Sequence, residues 1–348
     1  MYSFFGVSRS EITRRLRRAL QAVALSALTL STPSLAQDEQ SDSPGPTAAV
    51  TSSDALNPLS VYGGLTLFGS VAQTFGNSIT TNAAGVETSR SNSASTSYGF
   101  LAQYALNSRW TAGLDFGWGV SRSTSTNLKT AAETVTNISR AANPTAILAY
   151  RLVGANDSFY GTLPLIVDLR GTVTPNLFGT TSSNIGTTNY NNMPPSNASA
   201  SVNVGHTFGN LTAQGVAALT CATSGTSIVS TTKASTVTYT APGCRPSLDS
   251  SLNWQIGSVA LAAGINDSLP RTIGMKSTAA ANSNWVIDQS NVVAPYLKVS
   301  AKVWDNALAS LCVSHATATT GHLYPNRTLN SKVSSNSTTF TGQVQLTF

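Results

Sequence analysis

Three histidines, three cysteines and a sparse set of charged side chains are the residues of this 348-residue chain that could do chemistry. His206, His315 and His322 stand too far apart for metal-site spacing, so neither a metal nor a cofactor is expected. A serine–histidine–asparagine relay could be assembled in space from so serine-rich a chain. No local hydrolase motif surrounds any histidine, however, and no catalytic residue is expected. The glycines of Gly117-Trp118-Gly119 alternate as a strand interior does and form no phosphate-binding loop. Cys221 and Cys244 flank one Ser/Thr-rich stretch and could form a disulfide in an oxidising compartment. Cys312 is left over as a small buried residue. The remaining candidates are charges: Asp115, Arg151, Asp168, Arg170, Asp249, Lys298 and Lys302.

Those charges gain meaning from a period of two. Trp110, Ala112, Leu114, Phe116, Trp118 and Val120 alternate with Thr111, Gly113, Asp115, Gly117 and Gly119. A helix would scatter the first set around its circumference, whereas a strand puts it on one face. Tyr98, Phe100, Ala102, Tyr104 and Leu106 repeat the pattern upstream. Asn107-Ser108 reads as a tight turn that sets Tyr104 near Trp110 and Tyr98 near Phe116, and such aromatic pairs contribute roughly 0.2–1 kcal/mol each. Similar alternation predicts twelve strands, near 60–74, 96–106, 109–120, 145–153, 163–173, 198–208, 211–221, 247–256, 258–268, 292–303, 307–316 and 339–348. Short connections centre on Asn107, Asn156, Gly209, Gly257 and Asn306, about every 50 residues, as a repeated hairpin requires. Ser/Thr/Asn-rich loops fill 75–95, 121–144, 174–197, 222–246, 269–291 and 317–338. Pro144, Pro164, Pro175, Pro246, Pro270 and Pro295 fall at or near strand ends, where a sheet tolerates proline.

Residues 1–36 read as a secretory signal peptide: Arg9, Arg14, Arg15, Arg17 and Arg18, then apolar Ala19 to Leu30, then Ser34-Leu35-Ala36. The apolar stretch is shorter than the roughly 18 residues a membrane anchor needs. Residues 37–59 read as a disordered periplasmic lead-in, and 60–348 as the folded domain. The chain has 20 basic and 14 acidic residues; without the five arginines and Glu11 of the signal, 15 face 13. The excess of positive charge therefore belongs to the discarded segment and is no argument for nucleic-acid binding. Only 10% of residues are charged, against roughly 25% in a soluble domain. Low charge and abundant small polar residues suit strands with lipid on one side and water on the other, although a Ser/Thr-rich solenoid shares the composition.

The chain ends on Phe340, Gly342, Val344, Leu346 and Phe348, alternating with Thr341, Gln343, Gln345 and Thr347. This resembles the C-terminal strand signature of bacterial outer-membrane β-barrel proteins. The resemblance implies an all-β, closed, antiparallel transmembrane barrel with short periplasmic turns and long extracellular loops, integral to the outer membrane. It also implies that Phe340, Val344, Leu346 and Phe348 are read by periplasmic chaperones and the barrel-assembly machinery. Outer-membrane lipids and lipopolysaccharide would then surround the wall. Trp110 and Trp118, eight residues apart, would sit roughly 20 Å apart along the membrane normal in two aromatic girdles. Phe208, Trp254 and Phe348 would join the periplasmic girdle.

If the apolar register faces lipid, the other faces the lumen and carries Asp115, Arg151, Asp168, Arg170, Asp249, Asn253, Gln255, Lys298, Lys302, Gln343 and Gln345. No charge in a clear strand then faces lipid, where Lys or Arg at the midplane would cost ~2–4 kcal/mol. Two roles fit this polar interior. The cations could line a pore that favours anions, or they could be neutralised by Asp115 and Asp168 in a filled barrel. The segment 174–197, with Tyr190 and Met193-Pro194-Pro195, is the candidate for a loop folded inward. The expected function is passive diffusion of small hydrophilic solutes, with an anion preference. The alternatives are a surface barrel whose loops bind partners and, behind it, a barrel enzyme. The oligomeric state is left open by the sequence.

Overall fold

The computed structural model describes residues 64–107, 109–153, 165–177, 181–185, 188–193, 195–230, 235–277, 284–304, 306–324 and 328–348. The expected signal 1–36, the lead-in 37–59, residues 60–63 and the turn at Asn156 lie outside them.

Eighteen strands make up the described chain: β1 (Leu65–Asn82), β2 (Glu87–Ala105), β3 (Trp110–Asn127), β4 (Glu133–Val153), β5 (Leu165–Thr174), β6 (Thr181–Ile185), β7 (Thr188–Met193), β8 (Asn197–Phe208) and β9 (Leu211–Ala222). There follow β10 (Gly225–Ser230), β11 (Ser235–Thr240), β12 (Gly243–Ile256), β13 (Val259–Ser268), β14 (Arg271–Ser277), β15 (Asn284–Gln289), β16 (Val292–Trp304), β17 (Ala307–Leu323) and β18 (Leu329–Thr347). Twelve of them form a closed antiparallel wall, in the order β1, β2, β3, β4, β5, β8, β9, β12, β13, β16, β17, β18. The ring closes where β1 pairs with β18 from Thr66↔Thr347 to Asn82↔Ser331. Leu65 and Phe348 exchange backbone hydrogen bonds of 3.1 and 2.9 Å at the bottom of that seam.

Asparagine and glycine make the turns. At the short-turn end Gly209 and Gly257 adopt φ of 59° and 62°, a left-handed conformation that costs glycine nothing and permits two-residue connections. The β2–β3 turn uses Asn107, whose Oδ1 accepts the N–H groups of Arg109 and Trp110 at 2.8 and 2.9 Å. That cap makes the loop wider than the two residues expected and shifts the pairing. Tyr98 faces Trp118, Phe100 faces Phe116 and Tyr104 faces Ala112, which corrects the expected pairs. Trp110 instead meets Tyr150 of β4, with ring centroids 4.7 Å apart.

The strands also run far beyond their expected ends. β1 has 18 residues, β2 19, β3 18 and β4 21, where about 9–11 suffice to cross a bilayer. Most of the segments expected as loops are paired strand. The hairpin β6–β7 continues the wall and β7 pairs with β10, so the segment around Tyr190 is wall, not an inward loop. Strands β11 and β14, and β15 and β17, extend it in the same way. Three prolines lie within strands instead of at their ends. Pro144 sits in β4 where the register with β3 shifts between Asp115 and Gly117, a bulge that spares a ladder hydrogen bond. Pro246 and Pro295 lie within β12 and β16.

Outward residues sort by height. On β3 they are Trp110, Leu114, Phe116, Trp118 and Val120 up to Arg122; on β18 they are Phe348, Leu346, Val344 and Phe340 up to Thr338. About ten residues per strand, at roughly 3.3 Å and a ~40° tilt, give an apolar band ~25 Å tall. Phe208, Trp254 and Phe348 are more than half exposed on the outer face at the short-turn end. Trp304 stands with them: a register shift between Lys302 and Trp304 makes Val303 an extra residue and turns the indole outward. Asp267 is an exception to the inward sorting of charge. It lies in the outward register near the far end of β13, within Coulomb range of Arg245.

Cys221 and Cys244 face each other across β9 and β12 and are disulfide-bonded, closing 23 residues of chain around β10 and β11. Such a loop is worth about 3 kcal/mol. Replacing both with serine should lower the urea midpoint of the folded barrel accordingly, read by gel mobility and circular dichroism. An unchanged midpoint would show that ladder pairing alone holds this hairpin.

Candidate pore interior

Each wall strand sends every second residue inward, so the interior follows from the ladders. The structure places Asp115 on the inner face of β3, Arg151 on β4, and Asp168 and Arg170 on β5. Asp249 lies on the inner face of β12, and Lys298 and Lys302 on that of β16. Opposite pairing joins two of them. Arg151 faces Asp168 and donates from Nε to Oδ1 at 2.9 Å and from an Nη to Oδ2 at 3.1 Å, a two-pronged ion pair. Asp168 is 2% exposed and Arg151 largely buried, so water screens little of this attraction. Arg170, two residues along β5, lies within Coulomb range of Asp115. The Arg151–Asp168 ion pair is flanked by buried Asn203 of β8, which pairs with Asp168.

Asp249 belongs to a second cluster. Tyr296, on the inner face of β16, lies across Gly264 of β13 and donates its hydroxyl to Asp249 Oδ1 at 3.1 Å. Asn266 donates to Oδ2 of the same carboxylate at 3.3 Å. Glycine at 264 is required by contact: a Cβ there would collide with the Tyr296 ring and with the Ser250 carbonyl oxygen at 2.7 Å. Smaller links follow, Ser251 to Gln214 at 3.5 Å and Ser310 to Gln343 at 3.3 Å. Lys298 stands between Ala262 of β13 and Cys312 of β17, and Lys302 is solvent-exposed near the short-turn end of β16.

The interior is less polar than expected. Phe68, Ile147 and Val216 point inward and are buried alongside Tyr296. Apolar side chains removed from water there contribute by burial whatever they face across the lumen. Sequence pattern could have found Tyr296, since it shares the parity of Lys298 and Lys302. Arg245 was harder, because it falls in a stretch that reads as loop. It donates to the carbonyl oxygens of Leu269, Ser268 and Ser290 at 2.9, 3.1 and 3.0 Å, tying two neighbouring hairpins at the rim. Among the described residues no group of histidine, cysteine or carboxylate side chains has the geometry of a metal site.

No protein-family model matches the chain, and no curated protein matches it in sequence. Solved structures do. An outer membrane channel of Pseudomonas putida F1 superposes with a TM-score of 0.53 at 10% identity, over 84% of this chain and 98% of that one. The transport unit of the autotransporter AIDA-I of Escherichia coli superposes with a TM-score of 0.52 at 10% identity, over 95% and 99%. The chain thus has the closed twelve-strand antiparallel fold found in bacterial outer-membrane β-barrels.

Proposed function

We propose that the chain is an integral outer-membrane channel for passive diffusion of small hydrophilic solutes, with Lys298 and Lys302 biasing it toward anions. The observation that carries this is the sorting of residues across the wall, with charged and amide side chains inward and an apolar band outward. A barrel filled only for stability could use apolar residues on both faces. The cations are not equivalent. Arg151 is held in the two-pronged ion pair with Asp168, so it braces the wall. Lys298 and Lys302 share one strand away from that pair, and a row of like charge favours counter-ions as basic rings do in anion pores. The terminal strand from Phe340 to Phe348, paired at the closing seam, suits recognition by assembly factors before the ring shuts. The outward aromatics at the short-turn end suit the periplasmic interface, and phospholipid and lipopolysaccharide would contact the wall. No catalytic role is proposed for any residue.

The tall polar wall beyond the band favours a second role, in which the far-end hairpins bind partners at the cell surface. Single-channel recording of the refolded barrel in a planar bilayer with a salt gradient separates the two. The channel role requires discrete steps and an anion-selective reversal potential, with the sign reversed in Lys298→Glu/Lys302→Glu. Silence from folded protein would favour the surface role, and unchanged selectivity in the double variant would remove the two lysines from it.

Asp168→Asn should act on stability instead. It strands Arg151 in a buried site, at a cost of about 3–5 kcal/mol. Urea titration should show that loss, while Arg151→Met/Asp168→Leu recovers most of it. Equal midpoints for wild type and Asp168→Asn would mean that the pair is solvated and weak.

A further inference from the structure

We infer that the lumen face of β14 and β15, just above the apolar band, binds an organic carboxylate with an apolar body. Arg271, beside Arg245, holds the charged end. The inference rests on the channel role proposed above and narrows that channel's anions to one chemical class. Register fixes the face. Even-numbered residues of β17 point inward from buried Ser310, and β17 keeps one register with β18 as far as His322. Thr320 pairs with Gln289 of β15, and Gln289 pairs with Arg271 of β14, so Arg271 faces the lumen.

Two guanidinium groups meet there. Arg245 donates to the carbonyl oxygens of Ser268, Leu269 and Ser290, and Arg271 Nε donates to Gln289 Oε1 at 2.7 Å. These bonds hold like charges within Coulomb range of each other, on side chains that are both half-buried. They also leave the Nη groups of Arg271 for a two-pronged grip on a carboxylate. The chain's own carboxylates do not supply that partner. Among the described residues, Glu87, Glu133, Asp267 and Asp288, at or beyond the top of the band, lie in the outward register. Asp267 is within Coulomb range of Arg245 from that outer side, and there Thr272 donates to Asp288 at 3.1 Å. Asp249, on the lumen face four residues down β12 from Arg245, is already held by Tyr296 and Asn266. Parity thus puts the two cations inside and these counter-charges outside.

Above Arg271 the lumen face turns apolar. Ile273 pairs with Ile287 and Met275 with Trp285, all in the register of Arg271 and Gln289. At about 3.3 Å per residue the strip from Arg271 to Met275 is roughly 13 Å long. His322 borders it on β17, opposite Ile287. Apolar side chains with one fixed charged group at the end have the composition of a small-molecule site. An inorganic anion would use Arg271 and leave the isoleucines bare. A neutral aromatic would cover them and leave the guanidinium unmatched. A carboxylate with a hydrocarbon body satisfies both.

The test offers three probes in turn to the full barrel refolded in detergent. These are 4-phenylbutyrate, its uncharged amide 4-phenylbutyramide, and acetate. Equilibrium dialysis against empty micelles measures the bound probe. The phenyl acid should bind about tenfold or more tightly than either of the others. Arg271→Gln should weaken it by about tenfold, and Ile273→Ser/Ile287→Ser should bring it to the level of acetate. Arg245 is left intact because it braces the rim. Equal binding of acid and amide, or of acid and acetate, by wild type overturns the site, as does equal affinity in Arg271→Gln. Heat-modifiable gel mobility confirms that each variant is folded. Single-channel recording of the same preparation separates this site from the reading it rests on. Conductance without binding overturns the site alone, whereas binding without conductance upholds the site and overturns the channel.

Discussion

A β-strand presents a row of backbone N–H and C=O groups along each edge, and the structure depends on leaving none of those rows open along the apolar band. In hydrocarbon each unpaired group costs several kcal/mol, so a sheet there has to close on itself. The closing seam between β1 and β18 therefore matters more than any single side-chain contact. It pairs 17 residues of each strand and is finished by the reciprocal bonds of Leu65 and Phe348. Because β18 must find β1, the ring cannot close until all twelve wall strands are made.

Closure then fixes what each side chain meets. Parity decides inward or outward, and distance from the short turns decides apolar band or polar wall. Side chains on one face of neighbouring strands are near enough to meet, which is why Arg151 finds Asp168 on the facing strand and Tyr296 reaches across Gly264 to Asp249. The interior consequently holds at least two such linked groups, Arg151 with Asp168 and Tyr296 with Asp249.

Much of this was legible in the sequence, for reasons that can be named. Where one face is apolar, as from Trp110 to Val120, alternation announces both strand and register face. Gly209 and Gly257 announce their turns because left-handed backbone selects glycine. The β2–β3 register was misread because a side-chain cap on Asn107, invisible to periodicity, widens the loop. Trp304 was missed because the bulge at Val303 reverses its parity. The upper strands were read as loops because both their faces meet water, and a strand polar on both sides has no alternation to detect.

Those upper strands raise a question of register, since a strand polar on both faces is free to slip. Local devices replace the missing hydrophobic pattern. Asn82 Oδ1 accepts the N–H groups of Ala84 and Val86 at 3.0 Å, and Asn127 Oδ1 those of Lys129 and Thr130 at 3.0 and 3.3 Å, so two of the far-end turns are pinned by one side chain each. Facing hydroxyls pin the ladders lower down: Thr74 with Thr339 at 2.8 Å, Thr145 with Thr174 at 2.7 Å and Thr172 with Ser199 at 2.6 Å. Where β5 leaves the ring, Asn143 Oδ1 accepts from Leu177 and the Ser196 hydroxyl from Asn176, joining the bases of neighbouring hairpins. Each such bond is worth only about 1 kcal/mol. A slip by one residue breaks such a pair, so on these three ladders the inner face reinforces the register that the apolar outer face sets. Serine, threonine and asparagine, which in sequence suggest only loops, thus pin the far-end turns through Asn82 and Asn127 and link facing strands within the band.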